Sequence, residues 1–249
     1  MAEIKNNETG MILKLTGLSV GYKNKTIISN IDLNVKKGEI ISLAGSNGCG
    51  KSTLLRTLAG QQKALSGSIL LDGQNMALYN DISLAKKVSI LLTDRVTPLL
   101  MTAYDVVCSG RYPYTGMLGI LSSEDKDKVR EFMELTGITG LADQYFSELS
   151  DGQKQRIMLA RALCQEPDIL IMDEPMTFLD IKYKRELVNI IKRLRNEKGL
   201  TMIISLHELE VIREISDRVV CIKDGSIDKT GIPSEILKDD YINFLFDIK

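Results

Sequence analysis

The sequence predicts an α/β fold in which buried strands alternate with helices. The run 39–44 is short and apolar and follows the Lys37-Gly38 turn, which is typical of a buried strand. A glycine-rich loop comes next, and the run 54–59 has the character of a helix. A second apolar run, 168–173, precedes a segment at about 181–196 whose apolar residues recur at helical spacing. Units of this kind build a sheet that is covered by helices.

The glycine-rich loop matches the phosphate-binding pattern G-x-x-x-x-G-K-[ST]. Its glycines let backbone N–H groups face an anion, and the helix that follows contributes the positive end of its dipole. We expect Lys51 to reach the β- and γ-phosphates and the Ser52 hydroxyl to ligate Mg²⁺. The loop therefore predicts a nucleoside triphosphate site, with the residues Gly45, Ser46, Asn47, Gly48, Cys49, Gly50, Lys51, Ser52 and Thr53.

Composition limits the class of protein. The 249 residues include 32 Lys plus Arg and 33 Asp plus Glu, so the net charge of −1 shows no basic footprint and we expect no nucleic-acid partner. Residues 1–8 lack the apolar core of a signal peptide, and no apolar run approaches the roughly 18–20 residues that span a bilayer. The four cysteines are widely spaced and form no CxxC pair, which argues against zinc and disulfides and favours a reducing cytosolic compartment.

The remaining segments predict further strands and a helical region. From about 93 to 148 the pattern is helical, interrupted by Pro98, Pro113 and several glycines. The expected strands lie at 12–22, whose first half alternates apolar and polar residues, and at about 27–35, 66–73, 88–92, 201–205 and 218–223, the last continuing into a hairpin. The helical region therefore falls between two groups of strands.

The segment Ser150-Asp151-Gly152-Gln153 has the S-x-x-Q form of a capping box. It stands at the start of a helix that we expect to run to Cys164. A capped helix N-terminus is a potential anion site. The phosphates bound by the loop, however, already have a helix terminus of their own.

Together these motifs resemble those of ATP-binding-cassette (ABC) ATPases over about residues 12–236. The order is that of the family: the phosphate loop, the signature at 149–153, a Walker B strand ending in Asp173-Glu174, a D-loop at 178–180 and a switch histidine, His207. The resemblance implies a P-loop NTPase ABC cassette with a mixed central sheet, an antiparallel β subdomain and a helical insertion. It implies one domain over 1–249, with a core at about 12–92 and 165–249 and a helical subdomain at about 95–164.

The resemblance also implies roles for individual residues. Asp173 would hold Mg²⁺ through its coordinated water, and Glu174, expected on the opposite face of the strand end, would orient or deprotonate the attacking water. With Lys51, His207 completes the catalytic set by contacting the γ-phosphate, and Tyr22 stacks on adenine. In the family, one chain's signature closes over the nucleotide of another, so we expect a head-to-tail homodimer with ATP and Mg²⁺ bound. The residues expected to approach nucleotide in this way are Ser150, Asp151, Gly152, Gln153 and Asp180.

Two positions differ from the family pattern. Asp94 stands where a glutamine is usual, and Asp151 stands where the signature normally has glycine. We expect Asp94 to contact both nucleotide and Mg²⁺, and only when metal and γ-phosphate are present together, because its charge would otherwise be repelled. Asp151 is compatible with the first turn of a helix, where a carboxylate interacts favourably with the dipole.

A further local likeness indicates the kind of ABC protein. The runs 110–116 (Gly-Arg-Tyr-Pro-Tyr-Thr-Gly) and 122–125 (Ser-Ser-Glu-Asp) resemble importers of iron–siderophore, haem and cobalamin complexes. This implies an ATPase subunit on the inner face of the cell membrane, held there by permease subunits and served by a separate substrate-binding protein. The alternatives are a soluble cassette, such as the iron–sulfur assembly ATPase, and the ATPase of a two-component exporter. The soluble cassette usually has Glu-Lys after the signature glycines, whereas this chain has Gln153-Lys154-Gln155.

Overall fold

The computed structural model describes residues 10–23, 25–92, 98–116, 118–177 and 179–248. Within these ranges the strands are β1 (Met11–Tyr22), β2 (Lys25–Lys36), β3 (Ile40–Ala44), β4 (Ser66–Leu71), β5 (Gln74–Asn75), β6 (Val88–Leu91), β7 (Ile169–Asp173), β8 (Thr201–Ser205), β9 (Arg218–Lys223) and β10 (Ser226–Gly231). The α-helices are α1 (Lys51–Leu58), α2 (Asp81–Ala85), α3 (Ala103–Cys108), α4 (Ser123–Leu135), α5 (Asp151–Cys164), α6 (Ile181–Lys198), α7 (Leu209–Ile215), α8 (Pro233–Ile236) and α9 (Asp239–Phe246). Short 3₁₀ helices occupy Met76–Leu78, Ser109–Tyr114, Thr139–Leu141 and Phe146–Glu148.

The main sheet has the strand order β10-β9-β3-β8-β7-β6. Its strands are parallel except β10, which pairs antiparallel with β9 at one edge. Every residue of β3, β7 and β8 is buried, because both faces of this part of the sheet are covered. The carboxyl ends of these adjacent strands meet at one edge, where ligands bind in open α/β sheets.

A smaller antiparallel sheet, ordered β2-β1-β4-β5, covers one face of the main sheet together with α1. Leu13 of β1, Leu54 of α1 and Leu43 of β3 belong to the same buried apolar cluster. The backbone N–H of Ser29 also donates to the carbonyl of Gly225 in the β9–β10 turn, at 2.9 Å. The loop between β3 and α1 is therefore held between two sheets.

The opposite face of the main sheet packs against the helices. Phe132 of α4, Ile157 of α5 and Phe146 of the preceding 3₁₀ helix share a buried cluster with Met172 of β7 and Met202 of β8. Apolar packing is thus continuous from the helical insertion to the central strands. The mixed sheet, the antiparallel sheet and the helical insertion are the architecture that the sequence predicted.

Local differences from the predicted elements have simple causes. Helix α1 begins at Lys51 rather than Leu54, because Gly50 at φ 107° ends the loop and the next residues already form the first turn. Helix α2 was not predicted; Asn80 caps it by accepting the backbone N–H of Ser83 at 2.8 Å. Across the described ranges, each helix is too short or too polar to cross a bilayer.

Candidate functional site

The phosphate-binding loop makes a tight turn that needs glycine at both ends. Gly45 has φ 155°, and a Cβ there would lie 2.4 Å from the carbonyl oxygen of Ile222 on β9. At Gly50, with φ 107°, a Cβ would lie 2.6 Å from the Ile27 side chain of β2. Any side chain at these positions would push the loop away from the two sheets. The glycines therefore fix the path of the backbone from β3 into α1.

Lys51 lies on the inner side of this turn. Its Nζ donates to the carbonyl oxygens of Gly45 and Ser46, at 2.9 and 3.1 Å, and only 4% of the residue is exposed. Gly50 has no side chain to cap α1, so the N-terminus of this helix has no side-chain capping hydrogen bond, and the adjacent Ser52 is exposed. A lysine ammonium and uncapped helical N–H groups at one point form a site for phosphate groups.

The carboxylates predicted from the Walker B strand meet β8 at the same edge of the sheet. The Ser205 hydroxyl donates to Asp173 Oδ1 at 2.7 Å, and Ser205 Oγ accepts the Glu174 backbone N–H at 2.8 Å. His207 Nε2 lies 2.7 Å from Glu174 Oε1. Asp173 is 5% exposed, whereas about a third of the Glu174 and His207 side chains is exposed. The structure thus brings Asp173, Glu174 and His207 together around one serine.

The sequence prediction relied on strand alternation to place Glu174 on the face opposite Asp173. In the structure β7 ends at Asp173 and Glu174 adopts a left-handed backbone with φ 46°, so the alternation does not extend to Glu174. This turn directs the carboxylate to His207 on the neighbouring strand end. Ser205 was missed altogether. The only signal for it was its position two residues before His207 at the end of a predicted strand.

The signature segment forms the capping box that its sequence predicts. Ser150 accepts the backbone N–H of Gln153, and the Gln153 side chain accepts the backbone N–H of Ser150 at 2.9 Å. Gln155 of the same helix donates to the carbonyl of Pro175 at 3.2 Å, which links α5 to the segment after Walker B. The Asp180 side chain caps α6 by accepting the N–H of Tyr183 at 2.9 Å. Capping of α6 gives Asp180 a structural role that does not require a nucleotide.

The other predicted residues stand as follows. Tyr22 is the last residue of β1 and is 54% exposed, which leaves a ring face available for stacking. Asp151 is exposed in the first turn of α5, where the dipole favours its charge. Asp94 and Phe178 of the D-loop lie outside the described residues, so the expectations for Asp94 and for its contact with metal stay predictions.

The donor set suits Mg²⁺ better than a metal held by protein ligands alone. In the described part of the chain, no group of three or more His, Cys, Asp or Glu side chains could hold a metal ion. Mg²⁺ is usually bound by one or two protein oxygens together with phosphates and water. The hydroxyl of Ser52 within the phosphate loop and the carboxylate of Asp173 at the end of β7 fit this chemistry.

Comparisons with known proteins decide the family. The family model described as ABC transporter matches residues 28–177. The chain belongs to the ABC transporter family. It is an ATP-binding subunit and an ATP hydrolase of this family, as its motifs predicted. An uncharacterised ABC transporter ATP-binding protein of Methanocaldococcus jannaschii is 41% identical over 96% of this chain and 82% of its own length.

Two further relatives of this ABC ATPase have names that specify transport. The probable siderophore transport system ATP-binding protein of Bacillus subtilis is 38% identical over 92% of this chain and 83% of its own. The ferric enterobactin transport ATP-binding protein of Escherichia coli is 34% identical over 97% and 90%, respectively. These names confirm the predicted resemblance to the ATPases of iron–siderophore importers.

Solved structures confirm the cassette fold. A dimeric ATP-binding cassette in a post-hydrolysis state with ADP and Pi aligns with TM-score 0.79 and 27% identity, covering 89% of this chain and 99% of that chain. A cassette in its ADP conformation aligns with TM-score 0.84 over 97% of this chain and 100% of that chain. The identity of the latter pair is 23%, so this likeness concerns the fold alone.

The loop cysteine offers a direct test of nucleotide binding. Cys49 is half-buried beside Lys51, whereas Cys108, Cys164 and Cys221 are buried. Burial raises the pKa of Cys164 to about 12 and that of Cys221 to about 11, so these thiols are poorly reactive near neutral pH. We expect a maleimide to modify Cys49 first and to inactivate the ATPase, and MgATP to protect it. Mass spectrometry of labelled peptides measures this.

The control for this experiment is Cys49→Ala, which should lose both the modification and the inactivation. Equal labelling of Cys49 with and without MgATP would show that nucleotide does not cover this loop.

Proposed function

We propose that this chain is the ATPase subunit of an importer for metal chelates of the iron–siderophore type. The observation that carries the proposal is the set of relatives whose printed names specify siderophore or ferric enterobactin transport and which cover nearly the whole chain. Haem and cobalamin complexes belong to the same chelate class and remain alternatives for the cargo. The chain would work on the inner face of the membrane through permease subunits, with a separate substrate-binding protein delivering the chelate.

The site supports hydrolysis of ATP by the following division of roles. The loop 45–53 and Lys51 bind the phosphates, and Tyr22 stacks on adenine. Ser52 and Asp173 hold Mg²⁺, which supplies neutralisation of phosphate charge when bound. Glu174 orients the attacking water and accepts its proton, and His207, 2.7 Å from the same carboxylate, contacts the γ-phosphate. The geometry at the ends of β3, β7 and β8 supports these roles, and the exposure of Tyr22 at the end of β1 supports its stacking on adenine.

Dimer closure would couple this chemistry to transport. The capping box at Ser150 leaves the hydroxyl hydrogen of that serine able to donate, since its oxygen only accepts within the cap. An anion presented by another chain can therefore be bound at α5 without breaking the cap. We propose that two copies meet head to tail in this way, and the dimeric state of a related cassette supports the idea.

The helical insertion offers a surface for the permease. Leu99, Leu100, Leu118 and Ile120 are each more than two-thirds exposed, at 74%, 88%, 83% and 71%. Exposed apolar side chains grouped in one part of a chain are typical of interaction sites. Within the run 110–116, by contrast, Arg111 is buried in an ionic network while Tyr112 is exposed. We propose that the exposed apolar residues, and not Arg111, contact the permease.

Purification from membranes tests the proposed function. We expect the tagged chain, expressed with its neighbouring genes and solubilised in detergent, to bring down a polytopic permease whose presence is confirmed by mass spectrometry. In proteoliposomes a binding protein loaded with a ferric siderophore should stimulate ATP hydrolysis by this complex. The double variant Leu99→Asp/Leu100→Asp should lose the permease, because each carboxylate would be desolvated in an apolar contact.

Leu78→Asp is the matched control, since Leu78 is similarly exposed (73%) but lies next to the antiparallel sheet, just after β5. It should keep the permease. Co-purification with soluble assembly proteins instead would favour the soluble cassette, and stimulation by an exported compound would favour the exporter.

A further inference from the structure

We propose that Ser205 is a positioning residue for ATP hydrolysis, which holds the metal-binding and water-activating carboxylates in one arrangement. The proposal rests on the roles proposed for Asp173 and Glu174. In the proposed arrangement Ser205 itself contacts neither the nucleotide nor the metal. Its effect is exerted through the two residues that it joins across β7 and β8.

The register of the sheet places Ser205 beside the two carboxylates. Ser205 is the last residue of β8 and pairs directly with Asp173, the last residue of β7. It is fully buried, so water cannot replace its hydrogen bonds. One hydroxyl donates to Asp173 Oδ1 at 2.7 Å and accepts the Glu174 N–H at 2.8 Å. A hydroxyl is the smallest side-chain group that can do both.

The bond to the Glu174 backbone supports an unfavourable conformation. Glu174 has φ 46°, a left-handed region that L residues other than Gly, Asn and Asp seldom adopt. Such residues persist where surrounding contacts over-determine them, often at active sites. The Ser205 hydroxyl accepts the N–H of this residue and so holds the turn against the end of β8. Because the turn aims the Glu174 carboxylate at His207, Ser205 sets the direction of the proposed base.

The bond to Asp173 restricts the second carboxylate. Anchoring Oδ1 to a buried hydroxyl limits rotation of the carboxylate about its last bond. Groups that orient metal-binding carboxylates typically change metal affinity or activity by about 10- to 100-fold when they are removed. Loss of the hydroxyl should therefore lower the affinity for Mg²⁺ and the turnover rate together. The phosphate loop, which follows β3, should stay intact.

Another buried serine in the same sheet provides a matched control. Ser42 of β3 is also fully buried, and its hydroxyl lies 2.6 Å from that of Ser216. Ser42→Ala removes the same atom from the neighbouring strand without touching a carboxylate. Any effect that arises from loss of a buried hydroxyl alone should appear equally in Ser42→Ala and Ser205→Ala.

The experiment compares Ser205→Ala, Ser205→Cys, Ser205→Thr and Ser42→Ala in the full chain. For Ser205→Ala we expect kcat to fall about 10- to 100-fold with little change in KM for ATP, and more Mg²⁺ to be needed for half-maximal turnover. Binding of a fluorescent ATP analogue in EDTA should match that of the natural chain, while its enhancement by Mg²⁺ should be weakened. Ser205→Thr, which keeps the donor and the acceptor, should restore most of both.

Ser205→Cys keeps the branching of the side chain with a somewhat larger atom, but offers only a weak donor and a weak acceptor, so it tests the proposal if Ser205→Ala does not fold. A Ser205→Cys or Ser205→Ala protein with the kcat and Mg²⁺ dependence of Ser42→Ala would overturn the proposal. The proposed function is tested separately by Glu174→Gln. If that variant hydrolyses ATP normally, the assignment of the base is wrong. If it is inactive while Ser205→Ala is normal, only the role of Ser205 is wrong.

Discussion

Glu174→Gln is expected to bind ATP and Mg²⁺ but to hydrolyse ATP at least about 100-fold more slowly, the lower end of the contribution of a general base. The amide preserves the size of the side chain and a contact with His207, which lies 2.7 Å from Oε1. It cannot accept a proton from water. In the proposed cycle hydrolysis resets the closed dimer, so the variant should accumulate as a dimer with ATP and Mg²⁺. Size-exclusion chromatography and a phosphate-release assay measure the two effects.

Glu208→Gln is the matched control for this variant. Glu208 adjoins His207 and forms an ion pair with Lys184 at 2.7 Å, with about a third of each side chain exposed. Exposed pairs contribute at most about 1 kcal/mol to stability, and Glu208 has no proposed part in the chemistry, so fold and turnover should both stay close to those of the natural chain. A Glu174→Gln protein that remains monomeric and turns over normally would show that another group activates the water.

Arg111→Met is expected to lower the free energy of unfolding by about 3–5 kcal/mol, the usual cost of breaking a buried ion pair by removing one partner. The Arg111 guanidinium bonds Asp125 Oδ1 at 2.9 Å, Glu166 Oε2 at 2.7 Å and the carbonyl of Cys164 at 2.8 Å. Arg111 and Asp125 are 4% and 6% exposed, so neither charge can be rehydrated in the folded chain. Urea unfolding followed by circular dichroism measures the loss.

Arg130→Met is the control, because Arg130 pairs with Asp127 at 2.7 Å on the surface of the same insertion, with about 70% of both side chains exposed. It should change the free energy of unfolding by no more than about 1 kcal/mol. Equal losses for the two variants would mean that the buried network contributes no more than a surface pair.

The same network should make part of the stability depend on pH. Burial alone would raise the pKa of Asp125, but hydrogen bonds from Ser122 and Arg111 outweigh it and hold the pKa below the ordinary 3.8. A carboxylate with a depressed pKa stabilises the fold above its ordinary pKa and loses this contribution as the pH falls through the folded value. The difference in stability between the natural chain and Arg111→Met should therefore be constant near neutral pH and shrink below about pH 4.

The elements that could be predicted are those whose signals are local. The phosphate loop, the buried strands β3, β7 and β8 and the capping box at Ser150 each depend on residues close together in sequence, and all are present. The left-handed turn at Glu174 escaped prediction, because strand alternation carries no information beyond the last paired residue. Ser205 escaped it as well, since a serine in an apolar strand becomes meaningful only when the register of two strands is known.

Arg111 illustrates a different difficulty. The segment 110–116 around Arg111 resembles that of chelate importers. This likeness does not indicate which of its side chains point inward. Gly110 lets the chain pass close to α5, where an added Cβ would lie 2.2 Å from the carbonyl oxygen of Arg161. Tyr114 then stacks with the Arg111 guanidinium at 3.9 Å. The unusual composition of this segment is explained in large part by packing.

The strand order has a consequence for folding of the chain during its synthesis on the ribosome. β3, buried on both faces, lies between β8 and β9, and the contact from Gly38, two residues before β3, to Thr201 of β8 joins residues 163 positions apart. At a synthesis rate of about 5–20 residues per second, β8 is completed roughly 8–30 s after β3. Throughout that time a nascent chain leaves the apolar side chains of β3 without the strand that covers them. We therefore expect newly made chains to depend on chaperones, and truncations before β8 to aggregate rather than to form a smaller nucleotide-binding unit.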